Sequence, residues 1–312
     1  MSTVDRPVGA SEYRSGLLFA VGAYLLWGVL PAYFVLLDLS GPYEVTPWRV
    51  LFTLAFCVVL VAVTRAWRPI LAILRQPRLM AALALSAALI YVNWQGFILA
   101  SLTGHVLEVS LGYFINPLVS VLLGVIFLRE RLRALQWTAV GVAFVGVVVL
   151  GIVYGTPPWL SMVLAFSFGF YGLVRNRLGS RVDTISGVTI ETVLLVPVCV
   201  VQLVIVAGIG GLTLGHVSVL HTLAIAGAGV VTAVPLLLYG SAVRRLPLSV
   251  AGLIQFINPV IQFLVGAVLL GEPMPPARWL GFGIVWVAIA LVVLDSLRQL
   301  RVSSRPGRPA AD

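Results

Sequence analysis

Four ionisable side chains fall within or at the edge of long apolar runs of this 312-residue chain: Arg49, Glu108, Glu191 and Asp295. An ionised group at the centre of a bilayer costs on the order of 2.5–3.5 kcal/mol, so such residues face a bundle interior or a wet cavity. Asp295 stands three residues before Arg298 in the last turn of its run, and an interfacial ion pair accounts for it. Arg49 and Glu108 share a depth near one end of their runs, which permits an ion pair that is either a structural clamp or, functionally, an outer gate or a contact for a substrate anion. Glu191 lies 142 residues after Arg49, so opposite charges take equivalent places near opposite faces. No partner for Glu191 is evident at its depth. It is therefore the better candidate for a titrating or substrate-binding carboxylate, with a contact to interfacial Arg as the other reading. His105 and Glu108 have the spacing of a metal-ligand pair, but His216 and His221 lie in a distant loop, so no metal is expected.

Two Asn-Pro steps offer a second kind of chemistry. Asn116-Pro117 and Asn258-Pro259 each sit inside an apolar run. Proline removes one backbone hydrogen bond and clashes with the preceding turn, so both helices are expected to kink or break at mid-membrane. The freed carbonyls and the Asn amides then either line a cavity or cap the kinks internally. Asn93, Gln255 and Gln262 add amides, and Trp27, Tyr33, Trp94, Tyr113 and Tyr171 add aromatic surface. Mixed aromatic and amide walls suit amphipathic solutes of moderate size, while packing between helices is the alternative for each aromatic. These ten residues are the candidate substrate pathway; Glu191, Glu108 and Arg49 are candidates for coupling or gating.

The elements that hold these residues are apolar nearly throughout. Hydrophobic residues make up 60% of the chain and charged ones 10%, which excludes an ordinary soluble domain. Ten runs, about 16–37, 47–66, 79–100, 105–128, 133–153, 158–178, 185–207, 218–243, 248–270 and 277–297, are each long enough to cross a bilayer as a helix. The first is too long for a signal-peptide core and has no small-residue cleavage site after it, so it is read as a membrane helix. The net charge of +9 does not indicate nucleic acid: the chain has no Lys, and its Arg residues cluster between apolar runs. All of the basic residues except Arg49 and Arg278 fall on alternate connections. By the positive-inside rule both termini are cytoplasmic. Cys57 and Cys199 lie in apolar runs and behave as small apolar residues.

Phe114-Ile115-Asn116-Pro117 returns as Phe256-Ile257-Asn258-Pro259, and the offset of 142 persists through Glu130 and Glu272, Trp137 and Trp279, and Gly141 and Gly283. Each copy holds five runs, an odd number, so the second must enter the membrane from the opposite side. The basic Arg129-Glu130-Arg131-Leu132-Arg133 and its charge-poor counterpart Gly271-Glu272-Pro273-Met274-Pro275 agree. The expected fold is an all-α polytopic membrane protein with ten transmembrane helices as two inverted five-helix repeats. A cytoplasmic segment (1–14), repeats over 15–154 and 155–298, and a disordered basic cytoplasmic tail (299–312) complete it.

The two halves, the repeated Asn-Pro and the Glu after each resemble the EamA family of the drug/metabolite transporter superfamily. Asn93-Trp94, Gly104-His105-Val106-Leu107-Glu108, Leu111-Gly112-Tyr113-Phe114-Ile115-Asn116-Pro117-Leu118, Ser167-Phe168-Gly169-Phe170-Tyr171-Gly172 and Val231-Thr232-Ala233-Val234-Pro235-Leu236 look like its RarD branch. The resemblance covers roughly residues 13–297 and implies a ten-helix inner-membrane permease, without implying a substrate. Arg129 stands where that pattern more usually has Gly.

The expected function is a secondary transporter of small organic solutes, drug or metabolite, working by alternating access in the export direction. It needs no cofactor and shows no nucleotide fingerprint. Its partners are the solute, the lipid bilayer and, where transport is coupled, protons; it acts as a monomer or homodimer. A polytopic enzyme acting on a lipid-linked substrate is the alternative, but it needs clustered acids or a metal that this chain offers only as one weak pair. An assembly subunit without a pathway leaves the intramembrane Asn, Gln and Glu unexplained.

Overall fold

The computed structural model describes residues 10–102, 106–154 and 159–265, with 279, 283, 287 and 290 beyond them. Among these residues the chain is helical, without strands. The elements are α1 (Ala10–Phe34), α2 (Pro42–Thr64), α3 (Trp67–Leu74), α4 (Pro77–Leu102), α5 (Val106–Leu128), α6 (Ala134–Tyr154), α7 (Trp159–Leu178), α8 (Thr184–Ile209), α9 (Val219–Val243), α10 (Leu248–Ile254) and α11 (Ile257–Leu264). Short 3₁₀ turns follow α1 and α7. Six of the helices are long and apolar enough to cross a membrane. Leu18, Val59, Val63, Ile126 and Val204 are exposed on them, as suits surfaces that face lipid rather than water.

Local signals explain most boundaries. Pro42 opens α2, where its missing N–H costs nothing, so the helix starts earlier than the apolar run. Asp183 accepts from the Ser186 amide and caps α8; Ser218 does the same for α9 through the His221 amide. His221, expected in a loop, thus sits in the first turn of α9. Helix α3 was not expected: Trp67 and Leu71 are exposed beside Arg68, the pattern of a short helix at a membrane surface. The tenth run and the tail lie outside the described residues apart from the four isolated positions.

The elements obey the sequence offset. Helices α2 and α8 start at 42 and 184, α4 and α9 at 77 and 219, and α5 and α10 at 106 and 248, 142 apart each time. Packing is paired in the same way. Helix α5 packs on α7 as α10 and α11 pack on α1; α4 packs on α7 as α9 packs on α1; α2 packs on both α8 and α9. Small residues allow the close approaches. A Cβ on Gly28 of α1 would lie 2.5 Å from Ile261 Cβ, and one on Gly169 of α7 would lie 2.7 Å from Val119 Cγ1. Val119 and Ile261 are again equivalent positions.

The two Asn-Pro helices differ. Helix α5 runs unbroken through Pro117. Its counterpart breaks between α10 and α11, where the Asn258 amide donates to the Gln255 carbonyl at 2.9 Å. Gln255 is the residue four before Pro259, whose carbonyl a proline cannot serve. The connection after α5 is fixed by Arg129, which takes the left-handed conformation (φ 57°) that a Gly would enter without cost. Glu130 then accepts the Leu248 and Ser249 amides at 2.7 and 2.8 Å and caps α10 in the other half.

Candidate functional site

A cavity lies between the halves. It is lined by Trp27, Leu30 and Phe34 of α1, Arg49 of α2, Asn93, Trp94 and Phe97 of α4, and Gly112, Tyr113 and Asn116 of α5. Leu164 and Phe168 of α7, Gln255 between α10 and α11, and Asn258 of α11 close it. These positions run from mid-helix toward the end where α1 finishes and α2 begins. At that end Glu44 accepts the Thr213 amide at 2.8 Å and the Leu214 amide at 3.2 Å, tying α2 to the α8–α9 connection.

Arg49 is the charged group of the cavity wall among the described residues. Its Nε donates to Thr232 Oγ1 of α9 at 3.1 Å, and its guanidinium carbon lies 4.9 Å from the Phe34 ring centroid and 5.3 Å from that of Trp94. Its Nη1 finds no acceptor among the described residues. The side-chain oxygens of Asn116, Gln255 and Asn258 are likewise without partners there, although all three residues are buried. Buried polar atoms are normally satisfied, and such a cluster around one cavity marks a place where a guest or water completes the bonding.

The cavity's inner boundary is aromatic. Trp27 and Phe168 pack edge to face at 5.4 Å, and Tyr239 lies behind both, at 5.5 and 5.1 Å. Tyr24 and Tyr171 close the cluster and are fully buried. Beyond it, toward the opposite end of the bundle, Arg175 Nη1 of α7 meets Glu191 Oε1 of α8 at 3.4 Å, and Ser86 Oγ of α4 donates to the same carboxylate oxygen at 2.6 Å. Glu191 therefore has a partner, which decides for the other reading, a contact with an arginine counted among the interfacial ones. The reason is helical phase: Arg175, counted from sequence with the interfacial arginines, turns inward between Gly187 and Gly240, where a side chain on either would collide with its guanidinium.

Of the ten pathway candidates, Trp27, Asn93, Trp94, Tyr113, Asn116, Gln255 and Asn258 line the cavity. Asn93 also uses its amide nitrogen to hold α7, donating to the Leu164 carbonyl at 2.9 Å. Tyr33 turns away and donates to the Ala224 carbonyl of α9. Tyr171 stacks on Tyr239 behind the wall, and Gln262 lies a turn beyond Asn258 outside the lining. The Glu108 side chain, and with it the expected Arg49–Glu108 pair, lies outside what is described, as does His105. Sequence reasoning missed Phe34, Phe97, Leu164, Phe168 and Thr232, whose types are ordinary in membrane helices. The described residues contain no cluster of His, Cys, Asp or Glu able to hold a metal, and Cys57 and Cys199 are free and buried.

Comparison with known proteins places this geometry. The pattern of the EamA-like transporter family matches residues 14–152 and again 157–294. Protein RarD of Streptomyces exfoliatus is 43% identical over 293 residues, covering 94% of this chain and 92% of that relative. Protein RarD of Escherichia coli K12 is 40% identical over 296 residues, covering 95% and 99%. YojE of Bacillus subtilis, an uncharacterized transporter, is 34% identical, covering 94% and 98%. A crystal structure 19% identical aligns over 91% of this chain and 99% of its own with a TM-score of 0.68, a likeness of fold alone.

Proposed function

The chain belongs to the EamA-like transporter family, in its RarD-type branch, and is a multi-pass membrane transporter; we propose that it exports small organic solutes across the inner membrane by alternating access. The observation that carries this is the meeting of Asn116 and Asn258, equivalent residues of the two repeats, in the wall of one cavity. A site on the boundary between repeats is what rocking of one half against the other exposes to each side in turn. Paired packing of equivalent helices supports two inverted five-helix repeats, ten helices in all, and the Arg clusters on alternate connections support cytoplasmic termini. The cavity then opens outward, and the aromatic cluster with the Arg175–Glu191 pair closes the cytoplasmic end. Exchange of the two halves' conformations opens that end and seals the cavity around Arg49. Solute shifts this balance only through different affinity for the two states. Protons are the proposed coupling ion; with Glu191 engaged by Arg175, Glu108 becomes the carboxylate to test.

Purified protein in liposomes, offered a metabolite mixture with and without a pH gradient, should give saturable flux above protein-free vesicles. Its absence for every solute would defeat the transporter mechanism proposed. Sidedness is tested with single cysteines in a Cys57→Ser, Cys199→Ser background. Thr213→Cys should react from outside and Ser180→Cys only from inside; reaction of both from one side would remove the inverted arrangement.

A further inference from the structure

Resting on the transporter reading of the same cavity, we infer that its solute is a mono-anion, in its simplest form a carboxylate on an apolar or aromatic body, received by the guanidinium of Arg49. Arg49 is 3% exposed, and no carboxylate among the described side chains pairs with it. Thr232 accepts from Nε but carries no charge. A buried cation with no counter-charge among the described side chains is costly in a low-dielectric bundle, and an entering anion relieves that cost.

The geometry is built for reception. The rings of Phe34 and Trp94 and the bond to Thr232 hold the guanidinium in one orientation in the cavity wall and leave Nη1 without an acceptor among the described residues. A planar guanidinium offers parallel N–H donors that match the two oxygens of a carboxylate, which an ammonium does not. One arginine supplies one unit of charge, so a singly charged solute is balanced and a polyanion is not. The rest of the wall describes the rest of the solute. Trp27 and Phe168 give flat apolar faces, and the unpartnered oxygens of Asn116 and Asn258 accept from donor groups.

The test compares acids with neutral amides of the same shape, phenylacetate with phenylacetamide and hexanoate with hexanamide, by calorimetry on the purified full chain in lipid nanodiscs. The acids should bind at least about tenfold more tightly. Arg49→Gln should erase the preference, and Arg49→Lys, which keeps charge but not the fork, should restore part of it. The wild-type comparison stands even where a variant fails to fold, which its melting curve reveals. Equal binding of acid and amide, no binding of any of the four at millimolar concentration, or an acid preference surviving in folded Arg49→Gln each overturns the inference. Liposome flux separates the two readings. Saturable amide flux equal to that of the acid leaves the transporter standing without its anion site; carboxylate binding through Arg49 without any flux does the reverse.

Discussion

Arg49 and Arg175 are equally withdrawn from solvent, at 3% exposure each, yet they keep opposite company. Arg175 sits between two glycine positions and meets a carboxylate that Ser86 also serves. Arg49 lies against two aromatic rings, with a threonine for its only hydrogen-bond partner among the described residues. The repeat offset makes the contrast sharper. Glu191 occupies the place of Arg49, and Arg175 that of Tyr33, so the same two scaffold positions carry a matched pair in one half and, in the other, a tyrosine and a cation with no carboxylate partner among the described residues. A matched pair closes an end of the bundle by itself; an unmatched one closes only when something else brings the charge. In the proposed mechanism, near-symmetric halves divide the work of locking and receiving through a few side chains.

The largest expected effect breaks the matched side. Glu191→Gln leaves Arg175 buried without its counter-charge, a loss on the order of 3–5 kcal/mol that lowers the melting temperature in detergent. The double replacement Arg175→Met with Glu191→Leu should regain most of that stability, because apolar residues of similar volume commonly replace a buried pair without loss. It should also keep solute binding while slowing flux about tenfold, since an apolar seal no longer opens by parting charges. Unchanged flux in the double variant would remove the pair from the gate.

Much of this arrangement is legible in the sequence, and physical reasons mark where it is not. Apolar runs and the offset locate α2, α4, α5 and their partners because lipid demands long apolar helices from both copies. Amides such as Asn116, Asn258 and Gln255 stand out within those runs because each needs a partner, and they do line the cavity. Phe34 and Thr232 carry no such signal, since Phe and Thr are at home in any membrane helix; only their position around Arg49 gives them a role. Arg175 misleads because spacing places it with Arg177 and Arg181, whereas rotation about α7 decides which of them turns inward. Helix α3 is missed because eight residues are too few for an apolar run to register.

Intermediate effects come from the amides shared by the two sides. The Oδ1 atoms of Asn116 and Asn258 have no partner in the described structure, so removing either side chain breaks little that holds the fold. Asn116→Ala and Asn258→Ala should reduce flux per folded molecule roughly tenfold, with a stability change within about 0.5 kcal/mol. A loss of roughly 1–3 kcal/mol with an unchanged rate would mean that the amides cap the helix kinks and take no part in the pathway.

The smallest effect probes what holds Arg49 open to a guest. Phe34 lies 4.9 Å from the guanidinium carbon and lines the cavity. Phe34→Leu keeps an apolar side chain there but removes the ring face that attracts the cation. A cation–π contact of this kind contributes roughly 0.5–1 kcal/mol. If the ring orients the guanidinium for a carboxylate, phenylacetate affinity should fall about two- to fivefold. Phenylacetamide binding should stay as it was, because the amide draws little from the charge. The melting temperature should hardly move, since Thr232 and Trp94 still hold the side chain. An equal loss for acid and amide would assign Phe34 to the apolar wall alone. No loss for either would leave Thr232 and Trp94 as the groups that set the Arg49 plane, and would narrow the difference between the two arginines to the carboxylate that Arg175 meets and that Arg49 does not meet among the described residues.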